Sequence, residues 1–185
     1  KRGCGHNQFI GLLLFLNNFI ARRFGFLFKN VSHFIAVSEF VREQHILSNF
    51  PKNKITVRNN GFNFLNFELL EDSWLSRNGI VFAGRVSIAK GALVLKYLIA
   101  HLDCKIKIIG NGPELVMLKQ YCIDNDFKHV EFIGKIDNSE VIEIISKSVL
   151  TVVPSQCGDS FPTVALESVS VGTPVVASNL GGLPD

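Results

Sequence analysis

"KIKIIG", residues 105–110, decides the fold. It is short enough for a strand, and Ile106, Ile108 and Ile109 put apolar side chains on both of its faces, as in a strand covered from two sides. Four further runs share this character: "GIVFAG" from Gly79, "VEFIG" from Val130, "LTVVPS" from Leu150 and "PVVAS" from Pro174. Helical stretches of about ten to fifteen residues separate them, and strand–helix alternation of that kind builds a parallel sheet. Right-handed crossovers place the helices above and below it, so the expected class is α/β, a Rossmann-like doubly wound parallel sheet. Ligands of such sheets bind beyond the carboxyl ends of the strands. Gly84, Gly110, Gly134 and Ser155 fall there.

Composition narrows the function classes. The chain has 185 residues, 47% of them apolar, enough for one sizeable core or one domain plus part of another. Nineteen Lys and Arg against sixteen Asp and Glu leave a net charge of +3. The basic residues are scattered, so no stripe suited to a nucleic-acid backbone forms and a small anionic ligand is the better expectation. Cys4, Cys104, Cys122 and Cys157 share no C-x-x-C spacing and read as reduced thiols of a cytoplasmic protein. The chain begins at Lys1 without an initiator Met and stops at "GGLPD", so a longer parent is expected.

The uncharged segment from Gly3 to Ala21 approaches the length of a membrane span. Its unbroken apolar run, Phe9 to Leu16, is too short to cross a bilayer, and Asn17 and Asn18 would lie unpaired in lipid. A buried amphipathic helix is expected. The alternative is a helix lying on the inner face of the membrane, anchored by Arg22 and Arg23, a peripheral contact. After it, "VSHFIAVS" reads as a strand, "EFVREQHILSNF" as a helix and "KITVR" as a short strand. "NNGFNFLNFELLEDSWLSRN" has no sustained period and reads as a connection. The expected organisation is a first domain over residues 1–58, a linker over 59–78 and a ligand-binding domain over 79–185.

Residues at the strand ends suggest an anion site. In "FAGRVSIAKG", Gly84 lets a ligand approach the backbone, while Arg85 and Lys90 could neutralise a diphosphate or be solvated surface cations. Gly110, Asn111, Gly112 and Pro113 form a glycine turn ahead of a helix, and Ile136 follows Gly134 where a flat base could lie on the backbone. Each can also be a plain strand exit. "GNGP" is not the G-x-G-x-x-G dinucleotide fingerprint. In "GDSFPTVALES", Pro162 suits the first helical position with Phe161 as cap. The amides of Thr163 and Val164 would then face an anion, with the positive helix end behind them. Asp159 stands outside that helix, and Glu167 lies about five residues inside it, roughly 7–8 Å along the axis. The pair could grip the two ends of a nucleotide-sugar. Alternatively, Asp159 complements the helix dipole and Glu167 is a solvated position. The "DND" at Asp124 to Asp126 copies a metal-binding D-x-D, but it closes a helix at the wrong end of the sheet.

"GRVSIAKG", "IIGNGP", "FIGK", "VVPS", "DSFPTVALES", "GTPVVAS" and "GGLPD" occur in the order and spacing of one family. The chain resembles the retaining glycosyltransferases of the glycogen-synthase-like superfamily, the group 1 transferases of GT-B fold. The resemblance covers residues 79–185, and "FIAVSEFVREQ" with "KITVRNNGFN" is similar to the end of that family's acceptor domain and hinge. It implies that Arg85 and Lys90 clamp the donor diphosphate, that Glu167 binds the ribose hydroxyls and that Asp159 meets the transferred sugar. It further implies that backbone amides from Ser160 through Phe161, Thr163 and Val164 complete the anion site and that Ile136 contacts the base. The family carries Glu where this chain has Asp159, one methylene shorter. Implied ligands are a nucleotide-sugar donor such as a UDP-, GDP- or ADP-sugar and a glycan or lipid-linked acceptor, with no metal and no other cofactor. The piece alone is not expected to turn over. A sugar-nucleotide epimerase of the same build and a non-catalytic nucleotide-sugar binding module are the competing classes.

Overall fold

The computed structural model describes residues 8–23, 25, 30–61 and 73–185. The chain divides into two compact units, Lys1–Arg58 and Asn59–Asp185. Cys4 and residues 62–72 of the expected linker lie outside the described residues.

In the first unit, helix α1 (Gln8–Arg23) precedes strand β1 (Phe34–Ala36), helix α2 (Glu39–Leu47) and strand β2 (Ile55–Val57). The strands pair in parallel, Phe34 opposite Ile55. Ser38, fully buried, turns the chain into α2: its extended backbone ends the strand and its hydroxyl accepts from the Val41 amide at 3.1 Å. The expectation of a buried helix at the start is not met. Ile10, Leu12, Leu13, Leu14, Phe15, Leu16, Phe19 and Ile20 of α1 are 43–65% exposed. Its apolar residues run around most of the helix, a pattern that calls for cover on several sides rather than on one face, and the described residues do not supply that cover. No helix among the described residues is long and apolar enough to cross a membrane.

The second unit alternates strand and helix from β3 to β7. Its elements are β3 (Ile80–Ala83), α3 (Ala92–His101), β4 (Ile106–Ile109), α4 (Leu115–Asp124), β5 (Val130–Gly134), α5 (Asn138–Ser146), β6 (Leu150–Val153), α6 (Thr163–Ser170) and β7 (Val175–Ala177). The sheet order is β5-β4-β3-β6-β7 with every neighbouring pair parallel. Successive residues of β3 point to opposite faces, so one strand seeds two cores. Ile80 and Phe82 join Leu95 and Ile99 of α3 and Leu118 of α4 on one face. Val81 joins Ile109, Ile142 and Ile145 of α5, and Val171, on the other. Full burial of each such side chain contributes about 1.5–3 kcal/mol. Strand order reverses direction between β3 and β6, and the crevice opens at the carboxyl ends of those strands.

Two local features add to the sequence reading. Within the expected linker, Ser73–Ser76 forms a 3-10 turn, and the Arg77 guanidinium reaches across to the far end of α6. There it donates to the carbonyls of Val171 and Gly172 at 3.0 and 2.7 Å and to the Thr173 hydroxyl at 3.0 Å. It thereby satisfies carbonyls that a helix end leaves without intrahelical partners. Secondly, Pro162 is the cap and Thr163 the first helical residue, because Pro162 keeps an extended ψ of 118°. Phe161 is therefore one position further out than expected.

Candidate functional site

Close backbone contacts set the loops at the carboxyl ends of the strands. An added Cβ at Gly112 would stand 1.9 Å from the Val86 carbonyl oxygen, and one at Gly110 2.0 Å from that of Gly84. The Val86 amide donates to the Asn111 carbonyl at 3.0 Å, and the Glu114 amide donates to the Val86 carbonyl at 3.3 Å. The "GNGP" turn thus packs on the loop that carries Arg85 and fixes that loop's backbone. Arg85 itself is exposed.

A second clamp joins the loop after β3 to the loop after β6. Gly91 has φ +88°, and a Cβ there would meet the Pro154 carbonyl oxygen at 2.1 Å. The Gln156 amide donates to the Ala89 carbonyl at 2.8 Å. This brings together two residues the sequence reading assigned to different parts of a ligand. Lys90 Nζ lies 2.5 Å from Asp159 Oδ1, and the fully buried Ser155 donates its hydroxyl to Asp159 Oδ2 at 2.6 Å. Asp159 is also held from below: the Gly182 amide donates to its carbonyl at 2.8 Å, and Gly181, at φ +66°, leaves no room for a side chain against it. Lys90 is thus ion-paired with Asp159.

A cleft of about 250 Å³ lies at the carboxyl ends of β3, β4 and β5, and neither Lys90 nor Asp159 lines it. Ala83 and Gly84 line it from β3, Ile109 and Gly110 from β4, and Lys135 and Ile136 from the turn after β5. Asn138 and Val141 of α5 and Thr163, Val164 and Glu167 of α6 complete the walls. Among the described residues, the amides of Thr163 and Val164 at the start of α6 make no backbone hydrogen bond outside the helix, and amides so placed can meet an anion. Glu167 is 9% exposed, so it is not a solvated position. Burial pushes its carboxyl above the usual carboxylate range, and the polar Asn138 side chain, which lines the same cleft, partly offsets that. The side chain is covered by its neighbours yet sits in a wall that opens on the cleft, which keeps the desolvation partial.

Of the residues named from sequence, Gly84, Gly110, Ile136, Thr163, Val164 and Glu167 meet in this cleft. Lys90 and Asp159 meet each other instead. Asn111, Gly112 and Pro113 do not line the cleft; their turn supports the Arg85 loop. Ser160 is exposed, and Phe161 turns to a separate apolar hollow of about 320 Å³ with Leu166, Val175 and Leu183. Lys135 and Asn138 were not named from the sequence, and Ser155 was placed at a strand end without a role of its own. Asn138 had a readable signal: "DNSE" forms a capping box between Asp137 and Glu140, which makes Asn138 the first helical residue beyond β5. Asp124 and Asp126 lie at the end of α4, where Asp126 pairs with Lys128 at 3.1 Å, away from the strand carboxyl ends. A roomier hollow, about 520 Å³, lies on that flank, lined by Lys119, Phe127 and Phe132. It holds neither a helix amino end nor a buried acid, so the chemistry favours the smaller cleft.

Residues 73–185 match the family model described as glycosyl transferases group 1. An uncharacterized glycosyltransferase of Methanocaldococcus jannaschii, MJ1178, is 31% identical over 172 residues, which cover 92% of this chain and 47% of the relative. Glycogen synthase of Mycobacterium tuberculosis is 30% identical over 114 residues, covering 56% of this chain and 26% of the enzyme. Among solved structures, Anabaena HepE in complex with UDP and glucose superposes with a TM-score of 0.72 at 20% identity, over 82% of this chain and 46% of that one. The chain spans less than half the length of these relatives.

Proposed function

Given that the chain belongs to the group 1 glycosyl transferases, we propose that its second unit binds a nucleotide-sugar for transfer of the sugar to a glycan or lipid-linked acceptor. The observation that carries this reading is one cleft holding a helix amino end, a nearly buried carboxylate and three strand-end loops. The diphosphate sits before the Thr163 and Val164 amides, the base lies along Ile136 and the ribose diol meets Glu167. Asp159, beside the sugar, hands part of its hold on Lys90 to the incoming phosphates. When the anomeric C–O bond breaks, its electron pair leaves on the diphosphate, the acceptor hydroxyl oxygen bonds to the anomeric carbon and gives up its proton to the departing phosphate oxygen, and the helix end with Arg85 and Lys90 stabilises the leaving charge. Those groups serve where a metal ion would otherwise do so, and the sugar keeps its anomeric configuration. The UDP and glucose held by the Anabaena protein support a nucleotide-sugar as the donor class.

Calorimetric titration of the chain with UDP, GDP and ADP tests the reading. At least one should bind with and without magnesium, and Arg85→Ala or Lys90→Ala should weaken it about tenfold or more, the loss of one charge-assisted contact. Binding that requires magnesium, or that both variants retain at the strength of the unaltered chain, would overturn the metal-free phosphate clamp.

A further inference from the structure

We infer that Ser155 is a positioning residue for Asp159: its buried hydroxyl holds the carboxylate in the orientation that meets the transferred sugar. This rests on the reading of Asp159 as the sugar contact. Ser155, just past β6, is 1% exposed, and its hydroxyl donates to Asp159 Oδ2 at 2.6 Å, the length of a hydroxyl on a carboxylate. Lys90 Nζ holds the other oxygen, Oδ1, at 2.5 Å. The two anchors differ in stiffness. Lys90 reaches in on a flexible four-carbon stem and its side chain is 37% exposed, whereas the Ser155 oxygen hangs from a single rotatable bond on a clamped backbone. A carboxylate turns easily about its last bond, so the fixed partner decides where its plane lies. Its two oxygens offer about four lone-pair directions, which leaves about two for sugar hydroxyls once Ser155 and Lys90 have taken one each. The Asp159 side chain keeps 14% of its surface open, so a ligand can reach it.

The loop does not need this bond to hold its shape. The Gln156 amide donates to the Ala89 carbonyl at 2.8 Å, the Asp159 amide to the Cys157 carbonyl at 2.9 Å and the Gly182 amide to the Asp159 carbonyl at 2.8 Å. Gly91 packs against the Pro154 carbonyl, and Gly181 against the Asp159 backbone. With the main chain fixed by these contacts, the Ser155 hydroxyl sets the side chain alone. The Cys157 thiol, a weak donor 4.0 Å away, approaches Oδ1, the oxygen that Lys90 holds. Among the described residues Oδ2 therefore belongs to Ser155, and a hydroxyl so fully buried needs that acceptor in turn.

The experiment is titration of the whole chain with UDP, GDP and ADP and with UDP-, GDP- and ADP-glucose, read as the ratio of sugar-nucleotide to diphosphate affinity for the base that binds tightest. Asp159→Ala should lower that ratio about tenfold, the worth of one hydrogen bond to a charged group. Ser155→Ala should lower it about threefold or more, and Ser155→Cys, near in volume but a weak donor, should lower it as well. Diphosphate affinity in both Ser155 variants should stay within about twofold of the unaltered chain, which shows that they are folded. In the double variant the ratio should equal that of Asp159→Ala alone, because Ser155 acts through the acid. A ratio that Ser155→Ala leaves unchanged, whatever its effect on the diphosphates, or a loss that adds in full to that of Asp159→Ala, would overturn the role of Ser155 while leaving Asp159 in place. A ratio that Asp159→Ala leaves unchanged would overturn the reading of Asp159 as the sugar contact, and this inference with it.

Discussion

Glu167 is where stability and binding oppose each other. Its carboxyl is pushed up by burial, so its folded value lies above its ordinary one. For such a group the folding contribution is fully present below the unfolded value and is lost as pH rises through the folded value. At neutral pH the ionised side chain is therefore a cost to folding that a ligand diol can offset. Glu167→Gln should raise the melting temperature by about 2 °C at pH 7, with little gain at pH 4, while weakening nucleoside diphosphate binding. Thermal melts at the two pH values, with a titration at pH 7, check both halves. Glu167 was legible in the sequence because a lone acid among the apolar residues of "VALESVSVG" asks for a reason. The Lys90–Asp159–Ser155 cluster was not, because it depends on two loops clamped at Gly91, a contact between segments distant in sequence.

Helix α6 presents its amino end to the cleft, and its other end is fastened by Arg77. Arg77→Ala removes three hydrogen bonds and should cost about 2 kcal/mol, a fall of roughly 4–8 °C in the melting temperature. Arg77→Lys should recover only part of it, since an ammonium cannot reproduce the forked geometry. An unchanged melting curve in Arg77→Ala would show that the cap contributes nothing. Strands and helices of this unit were readable because two-sided apolar runs alternate with helical stretches. Arg77 was not, because residues 59–78 carry no period and its partners lie past the end of α6. The start of α6 was misjudged by one residue, since proline fixes φ but leaves ψ free to be helical or extended. The exposure of α1 escaped the sequence reading for another reason: apolarity around most of a helix does not say what covers it.

At the scale of the molecule, five parallel strands in one order bring every cleft element to one end of the sheet. That end was legible once the strands were, because ligands gather where strand order reverses. Which loops close on the cleft was not, since that depends on backbone contacts at Gly110, Gly112 and Gly91. Amide chemical-shift mapping of the isotope-labelled chain during titration with the tightest-binding nucleoside diphosphate locates the ligand on the fold. The largest changes should fall on Gly84, Gly110, Ile136, Thr163, Val164 and Glu167. Changes centred instead on the hollow around Lys119 and Phe132, with the start of α6 undisturbed, would contradict that placement.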